Sequence, residues 1–264
     1  MPSYFIDIGP FHTNFYTFSV TAATIIGSAF VVYAMRQSAR LGDMTDVLLA
    51  GLAGGLGMGR LFHVMLNWAY FSVQPDEIMK VNAGGLDWHG AFLGAMAGVL
   101  VMSRLRTVPR LRLLDALAIV LPLLALAAWW GCGAAHCAYG AEVDNLSRYP
   151  AWLVWEEADI YNIIAPRYAT QRLGMMVSAA ILAVMLVTAA MDWLRGRRLW
   201  LALVLVAAGM FAIGFMRGDY GLVVAGLRQD QWLDVAMGVG GIVLLVVRWV
   251  DVNERSEGTT TVES

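Results

Sequence analysis

Long apolar blocks alternate with short polar connections along this chain. Seven blocks, at 15–35, 45–66, 85–102, 113–131, 173–193, 199–216 and 232–249, approach or exceed the roughly 20 residues that cross a bilayer as a helix. They are too long for the strands of a barrel, so backbone hydrogen bonding inside lipid predicts helices. The third block has a glycine-rich entrance and the sixth is short. The expected fold is an all-α integral membrane protein, a seven-transmembrane-helix bundle. A single transmembrane domain is expected over 1–252, with an external loop around 134–172 and a polar, disordered cytoplasmic tail at 253–264.

Polar positions inside the apolar blocks are the informative exceptions. Ionisable groups cost free energy in hydrocarbon, so each marks a site or a polar partner. Arg60, His63 and Asn67 are spaced three and four apart and share one helical face. Gly51, Gly55 and Gly59 precede that stripe at the small-residue spacing that lets two helix backbones approach closely. The third block repeats the pattern, with Asp87 and His89 at its start and then Gly90, Gly94 and Gly98. Two closely packed helices with a polar pocket near one end are expected.

Composition agrees. The chain has 264 residues, is 59% hydrophobic and only 14% charged, too little charge for an ordinary soluble surface. Lys80 is the one lysine among 18 basic residues, and no basic patch interleaved with aromatics suggests nucleic acid. The opening MPSYFIDIGPFHTNF has no basic region or short apolar core of a signal peptide, so the first block is expected to stay in the membrane. Under the seven-block reading, 11 arginines fall on one side: Arg36, Arg40, Arg104, Arg106, Arg110, Arg112, Arg195, Arg197, Arg198, Arg248 and Arg255. The other side has 6 basic residues: Lys80, Arg148, Arg167, Arg172, Arg217 and Arg228. The positive-inside rule then places the N-terminus outside and the C-terminus in the cytoplasm. The external loop carries Glu142, Asp144, Glu156, Glu157 and Asp159 among Tyr149, Trp152, Trp155 and Tyr161. Its aromatics are expected at headgroup level and its acids in water.

Several motifs, in order, carry a family resemblance: an IDIGPF-like start, GGLGMGRLFHVMLNW, GGLDWHGAFLG, WWGCGAAHCAYG, YATQRLG and FAIGFMRGD. Together they resemble the prolipoprotein diacylglyceryl transferases of the bacterial inner membrane. The resemblance implies transfer of a diacylglyceryl group from phosphatidylglycerol to the lipobox cysteine of a preprolipoprotein, with release of glycerol phosphate. It implies no cofactor and no metal, and a multi-pass bundle whose polar chamber opens sideways to lipid. The implied partners are phosphatidylglycerol or another phospholipid, a lipobox peptide and the bilayer.

His89, in the WHG motif, matches the family's histidine and is assigned to catalysis, as proton acceptor or as orienter of the acceptor thiol. A hydrogen bond to a loop carbonyl is its structural alternative. Arg60 matches the GR motif; it either grips a lipid phosphate or is an intramembrane clamp to Asp87 or a helix carbonyl. Asn67, Asp87, Thr170, Gln171 and Arg217 complete the substrate-binding set, with helix joining by Asn67 and N-capping by Thr170 as alternatives. Trp129 and Met210 stand where the family usually carries arginines, and Gly214 where it carries an acid. These departures leave open a divergent membrane protein that binds phospholipid or lipoprotein without transfer, or a transferase with a different lipid donor. A transporter is disfavoured because no inverted repeat is visible. Cys132 and Cys137 are expected as packed free thiols, because cysteines five apart on an uninterrupted helix do not face each other; a disulfide outside the cytosol is the alternative and requires a turn between them. A zinc set of Cys132, His136 and Cys137 lacks a fourth ligand.

Overall fold

A computed structural model describes residues 5–8, 11–80 and 85–260, with side chains for 13–80 and 85–247. Gly9 and Pro10 of the opening motif, Gly84 of the GGLDWHG motif, the side chains of Arg248 and Arg255, and tail residues 261–264 lie outside the described residues. Eight helices are formed among those described: α1 (Phe15–Met35), α2 (Leu41–Leu66), α3 (Trp68–Phe71), α4 (Trp88–Leu105), α5 (Arg110–Ala135), α6 (Thr170–Ala190), α7 (Arg198–Gly214) and α8 (Gln229–Thr260). The protein is all-α and multi-spanning. Five helices are long and apolar enough to cross a membrane, namely α1, α2, α5, α6 and α8 over Gln229–Val247. The other two expected spans are α4, of 18 residues, and α7, of 17. The α8 backbone continues as helix to Thr260, across positions that the polar pattern assigned to the tail.

Three antiparallel hairpins lie outside the helices: β1 (Phe5–Ile8) with β2 (Phe11–Asn14), β3 (Val154–Ala158) with β4 (Ile164–Tyr168), and β5 (Val223–Val224) with β6 (Leu227–Arg228). The helical periodicity gave no sign of them. Each strand has only two to five residues.

The chain divides into two compact units, residues 31–113 and residues 1–30 with 114–264. In the first, α2 lies against α4 along their glycines. A β-carbon added at Gly54 would sit on the carbonyl of Gly94, and one at Gly94 on the carbonyl of Gly54. Only backbone fits between the helices there, as the small-residue spacing predicts. Asp87 starts α4 as its N-cap, its Oδ1 accepting from the Gly90 amide at 2.9 Å.

In the second unit, Ser19 of α1 donates to the Ala127 carbonyl of α5 at 3.0 Å. The start of α7 has no side-chain cap of its own. Asp115 of α5 supplies one, accepting from the amides of Gly196 and Arg198 at 2.6 and 3.3 Å. A carboxylate there satisfies otherwise orphaned donors and meets the positive end of the helix dipole.

Cys132 and Cys137 form a disulfide, which corrects the expectation of free thiols. Helix α5 ends at Ala135, and His136 and Ala138 take left-handed backbone angles, with φ of 54° and 52°. That turn brings the two cysteines to a Cα separation of 4.7 Å. The bond also removes both thiolates from the zinc set. Closing so short a loop contributes about 2 kcal/mol by loss of unfolded-state entropy. Replacing both cysteines by serine is expected to lower the melting temperature in detergent, and reductant should then have no further effect. A double variant that melts as the wild type does would remove this role.

Candidate functional site

The polar stripe of α2 and the start of α4 meet within the unit 31–113. Arg60 faces the connection between them. Its Nε donates to the Ile78 carbonyl at 2.9 Å, Nη2 to Glu77 at 2.6 Å and Nη1 to Gly85 at 3.0 Å. The guanidinium also covers the Phe71 ring, with the carbon 5.2 Å from its centroid. The carbonyls it holds belong to the connection before α4, rather than to Asp87 or the spanning helices that the clamp alternative named. It fixes the segment that delivers Asp87, whose amide donates to the Gly59 carbonyl at 3.0 Å.

His89 is 1% exposed. Its Nδ1 lies 3.1 Å from Asp87 Oδ2, and its ring stacks at 4.1 Å on Trp88. Asp87 therefore caps α4 with one oxygen and holds His89 with the other. A carboxylate at Nδ1 favours the tautomer with its proton there, leaving Nε2 as the basic nitrogen. Asn67 is the C-cap of α2, and its Nδ2 donates back to the His63 carbonyl at 2.8 Å. The His63 ring packs edge-on against Phe71. Arg60, Asp87 and His89 thus form one linked group, while Asn67 serves the α2–α3 junction.

The remaining predicted residues lie in the other unit. Thr170 is wholly buried, but it does not N-cap through its side chain. Its hydroxyl donates to the Ala138 carbonyl at 2.6 Å, and Gln171 Nε2 donates to the Cys137 carbonyl at 3.1 Å. The two side chains hold the disulfide turn against the start of α6.

Arg217 sits in a charged ring. Its Nε donates to Asp219 Oδ1 at 2.8 Å and its Nη1 to Asp230 Oδ2 at 2.9 Å, while Arg228 Nε donates to Asp230 Oδ1 at 3.1 Å. Burial opposes the Arg217 charge. The facing acids Asp219, Asp230 and Asp234 outweigh it and raise the guanidinium above its usual value.

Sequence reasoning missed a second buried arginine. Arg167 Nη2 donates to Glu142 at 2.7 Å and to Asp159 at 3.2 Å, with the guanidinium 5.1 Å from the Tyr139 ring centroid. Asp159 is 5% exposed, so the expectation that the loop acids all face water is corrected there. Its Oδ1 accepts from the amides of Tyr161 and Ile163, which shapes the tip of the β3–β4 hairpin. The available signal was an arginine among five acids in a loop rich in aromatics.

Glu157 makes a different case. Burial lifts its carboxyl above the usual carboxylate range against the pull of Arg172, whose Nε is 3.7 Å away. Its Oε2 is buried without a hydrogen-bond partner among the described residues. A carboxyl whose pKa rises on folding contributes stability that is complete in acid and lost as pH climbs through the folded value. Glu157→Gln is expected to flatten the melting temperature between the ordinary carboxylate range and neutral pH. A variant that keeps the wild-type slope would remove Glu157 as its source.

Trp129 and Met210 line one apolar crevice with Val177, Ile181, Val206 and Ile213. The indole occupies the space opposite Gly174, where an added β-carbon would meet the ring. Trp129 and Met210, the two positions where the resemblance leads one to expect arginine, therefore fall on a single packed region of α5, α6 and α7.

The family model for prolipoprotein diacylglyceryl transferase matches residues 3–247. A phosphatidylglycerol–prolipoprotein diacylglyceryl transferase of Symbiobacterium thermophilum is 29% identical over 248 residues, 91% of this chain and 90% of that protein. One from Lactococcus lactis subsp. cremoris is 27% identical over 94% of this chain and 95% of its own length. One from Clostridium novyi is 26% identical over 77% and 78%.

Proposed function

Because the chain belongs to the prolipoprotein diacylglyceryl transferase family, we propose that it transfers a diacylglyceryl group from phosphatidylglycerol to a lipobox cysteine. It does so as a seven-crossing protein of the bacterial inner membrane, with its N-terminus outside. The observation that carries this reading is the Asp87–His89 pair at the head of α4, buried beside a loop clamped by Arg60. His89, oriented by the Asp87 carboxylate at Nδ1, takes the proton of the lipobox thiol through Nε2. The resulting thiolate is the stronger nucleophile. It forms the carbon–sulfur bond at the glyceryl carbon as the carbon–oxygen bond to phosphate breaks, and glycerol phosphate leaves. Arg60 acts as a positioning residue for the loop before Asp87. Asn67 in the unit 31–113, and separately Thr170, Gln171 and Arg217 in the other unit, are assigned to substrate binding.

A second reading, phospholipid or lipoprotein binding without transfer, is favoured by one observation. The Trp129–Met210 crevice is apolar and offers a phosphate none of the charge stabilisation an arginine supplies. Purified protein should convert isotopically marked phosphatidylglycerol and a lipobox peptide to the thioether, read by intact mass. A folded protein that retains phosphatidylglycerol and yields no thioether, under conditions that support the Lactococcus relative, decides for binding alone.

A further inference from the structure

The opposite end of α4 from His89, about 24 Å away along the 18-residue helix, lies beside a second cavity. A cleft of about 510 Å³ lies between the turn after α1 and the turn after α4, lined by Ser38, Arg40, Asp43, Leu105, Arg106 and Thr107. That volume falls in the range of small-ligand sites. The surrounding arginines are largely held in place. Arg106 pairs with Asp46, Arg112 donates to Ser38 Oγ at 2.8 Å, and Arg36 covers the Tyr33 ring at 3.8 Å. Arg40 and Asp43 differ. Both line the cleft, and among the described residues neither side chain has a hydrogen bond or ion pair, even with the other. The cleft thus offers one base and one acid without internal partners. At its margin, Leu41 and Leu105 are 67% and 70% exposed. Large leucine surfaces beside a polar cleft, at the ends of helices in a membrane-spanning protein, mark the edge of the hydrocarbon.

We propose that this cleft binds the headgroup of a zwitterionic aminophospholipid in the leaflet at that end of α4. The phosphodiester is held by the Arg40 guanidinium, with the Ser38 hydroxyl as a further donor. The ammonium is held by Asp43, and the acyl chains run along Leu41 and Leu105. Phosphatidylglycerol has no ammonium for Asp43, and a choline headgroup has no N–H to donate. The exposed leucines favour a lipid over a free phosphate ester. This inference needs only that the chain spans the membrane and is independent of the transfer reaction.

Hydrogen exchange on the wild-type protein in detergent localises the site without any substitution. Phosphatidylethanolamine is expected to protect amides in 36–46 and 104–110 at a concentration roughly tenfold lower than phosphatidylglycerol or phosphatidylcholine, the difference one charge-assisted pair makes. Arg40→Gln should weaken protection by every phospholipid. Asp43→Asn should erase the preference for phosphatidylethanolamine while leaving phospholipid protection in place. Equal protection by phosphatidylglycerol in the wild type, or none by phosphatidylethanolamine, overturns the proposal. Protection by inorganic phosphate or glycerophosphoethanolamine at the same concentration also overturns it, in favour of a soluble ligand.

Discussion

Gly94→Val is expected to abolish folded protein. At Gly94 an added β-carbon meets the Gly54 carbonyl, and at Gly98 the carbonyl of Ala50. A flexible side chain can move aside, but a helix backbone cannot without separating the helices. Overpacking a well-packed interior usually costs about 1–3 kcal/mol, and a backbone contact lies at or beyond the upper end. Separation would also withdraw Asp87 from the Gly59 carbonyl to which its amide donates, so the damage reaches the candidate site. Gly57→Ala, on the partner helix α2, provides the control: there is open space there, with nothing within 4 Å of an added β-carbon. Alanine also has the better helix propensity, by about 1 kcal/mol. Fluorescence-detected size exclusion in detergent should give a single peak for Gly57→Ala and aggregate or no peak for Gly94→Val. A Gly94→Val protein that elutes and melts like the wild type would show that α2 and α4 do not pack through their backbones.

The α2–α4 contact was legible because glycines four apart constrain one another within a single turn. The sequence placed Asp87 and His89 together at the start of α4 but did not pair them: the partner expected for His89 was a loop carbonyl, whereas the structure puts the Asp87 carboxylate at Nδ1 and its other oxygen on the Gly90 amide. The other unforeseen features depend on distant partners or on a break in regular backbone. Arg167 finds Glu142 across 25 residues and Asp159 across 8. Thr170 and Gln171 reach carbonyls 32 and 34 residues back. The disulfide was misread because helical geometry was extended past Ala135, whereas the helix ends there and left-handed His136, between the two cysteines, turns the chain so that they meet. The motif resemblance that assigned Thr170 and Gln171 to a headgroup carried no sign of the main-chain carbonyls they hold here.

The Asp87–His89 pair makes the largest demand on the proposed chemistry. His89→Ala is expected to lower single-turnover transfer by roughly 10²–10⁴, the usual contribution of a positioned general base. Loss of activity alone does not separate proton transfer from packing, because His89 is buried against Trp88. Asp87→Asn separates them. Asparagine caps helices about as well as aspartate, so the Gly90 amide keeps its acceptor and α4 its start. What changes is the group facing His89 Nδ1. An amide N–H there donates to the ring, selects the tautomer with its proton on Nε2 and blocks that nitrogen as a base. Asp87→Asn should therefore keep the wild-type melting temperature and phosphatidylglycerol binding yet lose transfer nearly as far as His89→Ala. Raising the pH, which increases the thiolate fraction of the lipobox cysteine without help from a base, should recover part of the rate in both variants. If folded Asp87→Asn transfers at the wild-type rate with the wild-type pH profile, the carboxylate is only a helix cap, and the proton acceptor must be sought elsewhere.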